Sequence, residues 1–291
     1  MQKYKSIVDN WHSFREACEE PAISSVRRND LKAGKDFEER LRDNFGEVER
    51  AEWNDSIFRL GDEKLPGKTL PHWRGEYYVQ EESAAIPVEV LGMEKGDRVL
   101  DMCAAPGGKT TQMAAKIDNE GKIIANDSSG KRLKSLHANI YRTGSACVSV
   151  TNYDGRNLPE YEKFDSILVD APCTGEGNRA RRDFEPADRD EIEGLSELQK
   201  QLGEKAVRFL KEGGEMVYST CTVNPWENER VVKYLIESTE LSLELVDIET
   251  EHTRGVKSFK GESFDGGMEK TVRVYPHHLD SGVIYVAKFR K

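Results

Sequence analysis

The chain has 291 residues, with Lys+Arg 43 against Asp+Glu 53 and a formal net charge of −10. At roughly 150 residues per domain this length suits one large domain or two smaller ones, and the acidic balance excludes a protein that coats nucleic acid indiscriminately, though not a local basic groove. No apolar run nears the about 18 residues that cross a bilayer, and MQKYKSIVDN lacks a signal-peptide core, so a soluble, cytoplasmic protein is expected. The five cysteines, at 18, 103, 147, 173 and 221, form no CxxC pair, which argues against a disulfide framework and against a zinc site; no metal is expected.

In chain order, residues 1 to 75 are charge-rich. Strand-like SSVRRN (24–29) leads to GKDFEERLRDNF (34–45), where Phe37, Leu41 and Phe45 recur at helical spacing, and strand-like RAEWNDSIFRL (50–60) follows. This reads as a small βαβ-type unit. The Gly and Pro punctuation of GDEKLPGKTLPHWRG (61–75) suits a linker, and the domain boundary is placed near residue 75. From residue 76 to 291 strands alternate with helices: RVLDMC, TTQMAAKI, KIIAND, SGKRLKSLHANIYRTG, CVSVTNYD, FDSILVDAPC, ELQKQLGEKAVRFLKEGG, EMVYSTCT, NPWENERVVKYLIEST, LSLELVDIE and GVIYVAKFR. The expected fold is α/β, Rossmann-like, a mostly parallel sheet with helices on both faces, preceded by a small α+β module. Such sheets bind ligands beyond the carboxyl ends of their strands.

Three blocks fall at those ends. DMCAAPGGKT (101–110) follows a strand and opens a helix, so Gly107 and Gly108 let the backbone approach a ligand. It is neither GxGxxG nor GxxxxGK[ST], so it is neither a plain dinucleotide site nor a phosphate loop. Asp127 ends the next strand twenty positions after Gly107, where an acid commonly takes ribose hydroxyls, and Asp154 ends the third strand. A glycine loop with two strand-end carboxylates and no phosphate grip suits a nucleoside cofactor such as S-adenosylmethionine. The second block, DAPCTGEG (170–177), carries Asp170 and Cys173 off the fourth strand. In the third, STCTVNPWENE (219–229), Cys221 ends the fifth strand, while Asn224, Pro225 and Glu227 read as a helix start with Asn as N-cap and Pro first in the helix. Two thiols on neighbouring strand ends, facing a methyl donor, point to covalent chemistry.

In these blocks, with YVQEESA (78–84) and the terminal RVYPHH and GVIYVAK, residues 76–291 resemble the RNA (cytosine-5) methyltransferases of the NOL1/NOP2/Sun family. Residues 23–62 are similar, more weakly, to the small RNA-binding module that often precedes that catalytic domain. The resemblance implies Cys221 as nucleophile toward cytosine C6, Cys173 assisting proton loss and release, and Asp170 and Lys109 beside the base. It implies cofactor contacts from Cys103, Ala104, Ala105, Pro106, Gly107, Gly108, Lys109, Asp127, Arg132, Asp154 and Asp170, and a structural role for His277 and His278. The target base must be flipped or lie in a loop, and phosphates need cations. Arg27, Arg28, Arg179, Arg181 and Arg182, with Lys131 and Lys134, are the expected RNA contacts.

DNA cytosine methyltransferases use the cysteine of the PC block and lack the second, so Cys221 argues against that reading. A non-catalytic RNA-binding or assembly protein of the same fold would be expected to have lost Cys221, Asp170 or the glycine loop, and all are present. The expected substrate is transfer RNA, similar to the compact archaeal enzymes, with ribosomal RNA as the alternative and a monomer as the expected state.

Overall fold

A hydrophobic helix face and a short antiparallel sheet organise the N-terminal part of this computed structural model, which describes residues 2–61, 65–160, 162–177 and 187–291. After α1 (Trp11–Glu19) come β1 (Ser25–Arg28), α2 (Phe37–Phe45), β2 (Val48–Arg50), β3 (Ile57–Leu60), α3 (Leu70–Arg74) and β4 (Tyr77–Val79). The sheet order is β2-β3-β1-β4. The predicted face of α2 buries Phe37, Leu41 and Phe45 against Val26, Phe58 and Tyr77. The pairing differs from a βαβ unit. A hairpin of β2 and β3 follows α2, so β3 returns antiparallel to β1. The expected linker 61–75 contains the short helix α3, closed by Gly75 at φ +75°. A Cβ there would meet the Arg142 carbonyl oxygen at 1.9 Å, so only glycine permits this approach.

Strand β4, just past residue 75, pairs with β1 through Val26↔Val79 and Arg28↔Tyr77. We propose that the module ends after Val79, since an earlier boundary removes an edge of its sheet.

The second sheet is built from β5 (Arg98–Asp101), β6 (Lys122–Asn126), β7 (Val148–Thr151), β8 (Phe164–Asp170), β9 (Leu210–Thr220), β10 (Ser242–Glu244), β11 (Thr253–Arg254), β14 (Val272–Val274) and β15 (Ile284–Arg290); β12 (Ser258–Phe259) and β13 (Glu262–Ser263) form a separate hairpin. The order is β11-β14-β15-β9-β8-β5-β6-β7, with β10 also on β15. Strands β7, β6, β5, β8 and β9 are parallel, and β15 and β14 close the edge antiparallel. The helices are α4 (Ile86–Val90), α5 (Gly108–Lys116), α6 (Gly130–Thr143), α7 (Arg189–Phe209), α8 (Glu229–Ser238) and α9 (Pro276–Leu279).

Strand periodicity sends successive residues to opposite faces. Leu100, Ile167, Val169, Met216 and Tyr218 pack with α7 and α8, whereas Val99, Leu168 and Val217 pack with α4 and α5. Because β6 lies on one side of β5 and β8 on the other, the strand order reverses at β5, and a crevice opens beyond β5, β6 and β8.

Several element boundaries differ from expectation: β7 ends at Thr151, so Asp154 lies beyond the strand it was expected to end, and only Ser242–Glu244 of LSLELVDIE is strand. The segment LKEGG begins β9 rather than ending α7, with Gly213 at φ +77°. Helix α8 starts at Glu229, not at Asn224; residues 225–228 form turns, and Asn224 Oδ1 accepts the Trp226 N–H at 3.1 Å. Among the described residues no helix is long and apolar enough to cross a membrane.

Candidate active site

Parallel pairing sets Asp170 opposite Ser219, so the DAPC and STC blocks leave adjacent strand ends in register. Cys173 Sγ and Cys221 Sγ lie 3.4 Å apart, the first half-buried and the second exposed. The hydrogen bond from Cys173 holds the Cys221 thiol below the ordinary thiol range, against burial and the Asp170 charge, with help from Lys109. The same bond, with burial and the Cys221 charge, pushes Cys173 well above that range. Of the two sulfurs, Cys221 is thus the readier to ionise.

Asp170 Oδ2 accepts Lys109 Nζ–H at 2.8 Å and Oδ1 accepts the Ser219 hydroxyl at 2.7 Å. Burial works against the Lys109 charge, but Asp170 holds its pKa above the usual amine value. Behind this pair Asp101 is 1% exposed, and burial pushes its carboxyl up to about 7. Its Oδ2 accepts the Thr110 hydroxyl at 2.6 Å, while Oδ1 has no partner.

A cavity of about 350 Å³ runs from Asp127, Ser128 and Arg132 past Cys103 and Asp154 to Cys173 and Cys221. A second, of about 180 Å³, adjoins it between Tyr78, Gln80, Pro106, Lys109 and Asp170. The glycine loop is held by Asp127, whose Oδ2 accepts the Ala105 N–H at 3.1 Å and whose Oδ1 accepts the Ser129 N–H at 2.9 Å. Arg132 donates to the Ala105 carbonyl and lies 3.5 Å from Asp127. Asp154 pairs with Arg156 at 2.5 Å on the rim. Gly107 has φ +105°, which favours glycine; Gly108 is confined by Tyr78, 3.3 Å from where a Cβ would sit, so its close approach is to the N-terminal module. Ala104 is packed in a small core with Ala105, Ala125 and Leu136. Burial raises the Cys103 thiol far above its usual range, leaving a neutral lining residue.

The predicted phosphate contacts separate. Arg27 is 4% exposed and donates to the Gly108 carbonyl at 2.8 Å, Thr111 Oγ1 at 3.0 Å, Gln112 Oε1 at 3.1 Å and Gln80. Strand alternation turns it inward, so it joins the module to the glycine loop and does not reach solvent. Arg28, on the opposite face, stays partly exposed and pairs with Asp30 at 2.6 Å. Arg179, Arg181 and Arg182 lie outside the described residues. Lys131 and Lys134 are exposed on α6.

His277 and His278 face Asp9 at 3.0 and 3.1 Å, clasping the segment before α1 to α9. His278 Nδ1 accepts the Tyr275 N–H, so its proton sits on Nε2 and points at Asp9. Glu227 and Gln199, absent from the expected site, buttress the Cys173 loop. A polar residue on the buried face of an amphipathic helix was the signal for Gln199; none distinguished Glu227 from a helix-start acid.

A family profile described as 16S rRNA methyltransferase RsmB/F matches residues 88–290, and one for the N-terminal domain of 16S rRNA methyltransferase RsmF matches residues 1–82. The chain belongs to the RsmB/F family. Within it, the chain is 37% identical to a tRNA (cytosine(49)-C(5))-methyltransferase of Pyrococcus abyssi, over 100% of this chain and 95% of that protein. It is 38% identical to ribosomal RNA small subunit methyltransferase F of Shewanella oneidensis over 96% of this chain, but spans only 59% of that relative's length. A solved methyltransferase homolog from Pyrococcus horikoshii superposes with a TM-score of 0.85 at 31% identity, covering 96% of this chain and 90% of that one.

Proposed function

We propose that this RsmB/F-family chain is an S-adenosylmethionine-dependent RNA (cytosine-5) methyltransferase, with Cys221 as nucleophile and Cys173 as the residue that releases product. The observation that carries this reading is the thiol pair at 3.4 Å, one sulfur acidified and the other not, at the mouth of the larger cavity.

The residues present fit the cofactor. Asp127 and Asp154 offer carboxylates to ribose hydroxyls, and Asp101, whose buried Oδ1 is unpartnered among the described residues, lines the smaller cavity. S-adenosylmethionine, when bound, supplies an electrophilic methyl group.

Cytosine C5 is a poor nucleophile until a thiolate adds at C6. The Cys221 thiolate forms the C–S bond, and the ring's electron pair moves toward N3. Lys109 supplies the positive charge and proton that N3 then needs, while Asp170 accepts from the exocyclic amine. Once Cys221 is alkylated its sulfur loses both its hydrogen bond with Cys173 and its negative charge, two of the three largest causes that raise the Cys173 pKa, burial being the other. Cys173 can then pass its own proton to solvent water and, as thiolate, take the one at C5. The C5–H pair re-forms the ring double bond, the C6–S bond breaks, Cys221 leaves as thiolate, and the N3 proton returns to Lys109. We propose Arg28, Lys131 and Lys134, which are at least partly exposed, as phosphate contacts; Arg179, Arg181 and Arg182 are proposed with them on the sequence alone.

We propose transfer RNA as the substrate, supported by similarity along nearly the whole of the Pyrococcus abyssi enzyme. The two matching family profiles favour a second reading, small-subunit ribosomal RNA. Methyl transfer from labelled cofactor into separated transfer and ribosomal RNA fractions, with product identified as 5-methylcytosine, decides between them; label in neither sinks the assignment. Cys221→Ala should lower turnover by roughly 10³-fold or more and form no covalent RNA adduct. Cys173→Ala should trap the adduct. An adduct formed by Cys221→Ala overturns the nucleophile assignment.

A further inference from the structure

Cys173 and Cys221 sit on loops leaving neighbouring strands, and no covalent link sets their 3.4 Å separation. The groups on both sides of Cys173 converge instead on one carboxylate. Glu227 Oε1 accepts the Thr174 N–H at 2.9 Å and a Gln199 Nε2–H at 3.2 Å; Oε2 accepts the Thr174 hydroxyl at 2.6 Å. Gln199 Nε2 also donates to the Pro172 carbonyl at 2.8 Å. Residues before and after Cys173 are therefore tied to Glu227.

The Cys221 loop joins the same network. Thr222 Oγ1 accepts the Asn224 N–H at 3.2 Å and lies 3.1 Å from Thr174 Oγ1. The Thr174 proton is committed to Glu227, so the Thr222 hydroxyl donates to Thr174. A one-way chain then runs from Asn224 through Thr222 and Thr174 to the carboxylate, joining the residue after Cys221 to the residue after Cys173. Glu227 is 0% exposed, and its carbonyl accepts the Tyr218 hydroxyl at 2.6 Å, which fixes it to β9. Burial pushes its carboxyl upward and the Thr174 and Gln199 donors pull it back. It lines neither cavity, so its position serves the loops and not a ligand.

Spacing matters here because the two sulfurs serve adjacent ring atoms. Cys221 is bonded to C6 while Cys173 must reach the proton on C5. The weak S–H donor that keeps Cys221 acidic also fails quickly with distance. Resting on the reading of Cys221 as nucleophile, we propose that Glu227 is a positioning residue that sets the separation of the two thiols and thereby both the acidity of Cys221 and the release of methylated RNA.

The test begins on RNA-free protein, as the rate of Cys221 alkylation by iodoacetamide against pH, with the modified cysteine assigned by mass spectrometry. Cys173→Ala, which removes the donor, should move the profile to higher pH. Glu227→Gln keeps the volume but cannot accept both Thr174 donors, and should move it in the same direction by a smaller amount. Thr174→Ser keeps the hydroxyl and should stay with the unsubstituted protein. With RNA and cofactor, Glu227→Gln should accumulate covalent adduct and release it about tenfold more slowly, a rate-partition effect that a general loss of stability does not produce. If Glu227→Gln fails to fold, judged by near-ultraviolet circular dichroism, Thr174→Val is measured in its place with the same expectation. A Glu227→Gln (or Thr174→Val) profile superposed on the unsubstituted one, while Cys173→Ala is displaced, overturns the positioning role alone. A Cys173→Ala profile that also stays in place, with no adduct from the unsubstituted protein, overturns the nucleophile reading and this proposal with it.

Discussion

The edge that carries the two thiols and the seam between the N-terminal module and the glycine loop are both built from charged and polar side chains, but they differ in how many bonds each buried group makes. At the seam, the two Nη atoms of Arg27 donate to Gly108, Thr111, Gln112 and Gln80 while its Nε stays unpartnered among the described residues, and Asn29 Nδ2 bridges the carbonyls of Gly75 and Thr143 at 2.7 and 2.8 Å. At the edge, Cys221 is exposed, Asp101 keeps an oxygen with no partner among the described residues, and Lys109 and Asp170, paired at 2.8 Å, line the smaller cavity. Four bonds converging from one buried guanidinium fix geometry, because several partners would be lost if it moved. Groups that line a cavity with an open oxygen or an exposed sulfur retain capacity for a ligand. Burial alone does not separate the two, since Arg27 and Asp101 are both nearly inaccessible.

The contrast can be broken by substitution on each side. Asp170→Asn at the edge should cost about 10²–10³-fold in turnover, with little change in melting temperature, because the amide cannot hold Lys109 and the base amine as a carboxylate does. Equal loss of stability and activity would place Asp170 with the scaffold.

Asp101 offers a pH test. Its folded pKa, about 7, lies above the usual 3.8 because the site disfavours the charge. Between those values the unfolded chain is ionised while the folded one stays protonated, so stability falls as pH rises and the full cost is present above pH 7. Asp101→Asn should therefore be more stable than the unsubstituted protein at pH 8, by on the order of 2–4 kcal/mol, with a smaller gap at pH 5. Denaturant unfolding at the two pH values measures it. A gap that shrinks toward pH 8 refutes the assignment.

At the seam, Arg27→Ala leaves buried carbonyl and amide acceptors without partners and should lower stability by about 2–3 kcal/mol. Thermal unfolding reads this directly. Its neighbour should behave oppositely. Arg28→Ala should change stability by less than about 0.5 kcal/mol, since its ion pair with Asp30 is partly exposed, while weakening RNA binding and reducing its salt dependence. Equal effects of the two arginines on stability would remove the distinction between them.

That pair also marks how far the residues could be read in order. The SVRR pattern announces a strand, and period-two alternation places Arg27 and Arg28 on opposite faces. Which face lies against α5 depends on how the module docks, and the local sequence carries no record of that. Likewise the α2 spacing of Phe37, Leu41 and Phe45 was legible, but the antiparallel return of β3 depends on the hairpin that precedes it. The ENE of the third block looked like a helix start because acids favour helix N-termini. In the fold Glu227 is committed to the Cys173 loop and Glu229 to Arg273, at 2.6 Å from its Nε, so the helix begins later.

By itself the sequence determined the alternating α/β order, the glycine loop, and the two cysteine blocks at strand ends, because periodicity, turn chemistry and motif spacing are local properties of the chain. It also determined the family, through blocks spread over the whole catalytic region. Only the tertiary structure decided which strands neighbour one another. That brought Cys173 within 3.4 Å of Cys221, turned Arg27 from a surface cation into a buried tie, and gathered Glu227, Gln199 and Thr174 behind the thiols. The physical reason is that partners from 28 to 85 residues apart meet through sheet order and helix packing, and their protonation and exposure follow from the burial those contacts create.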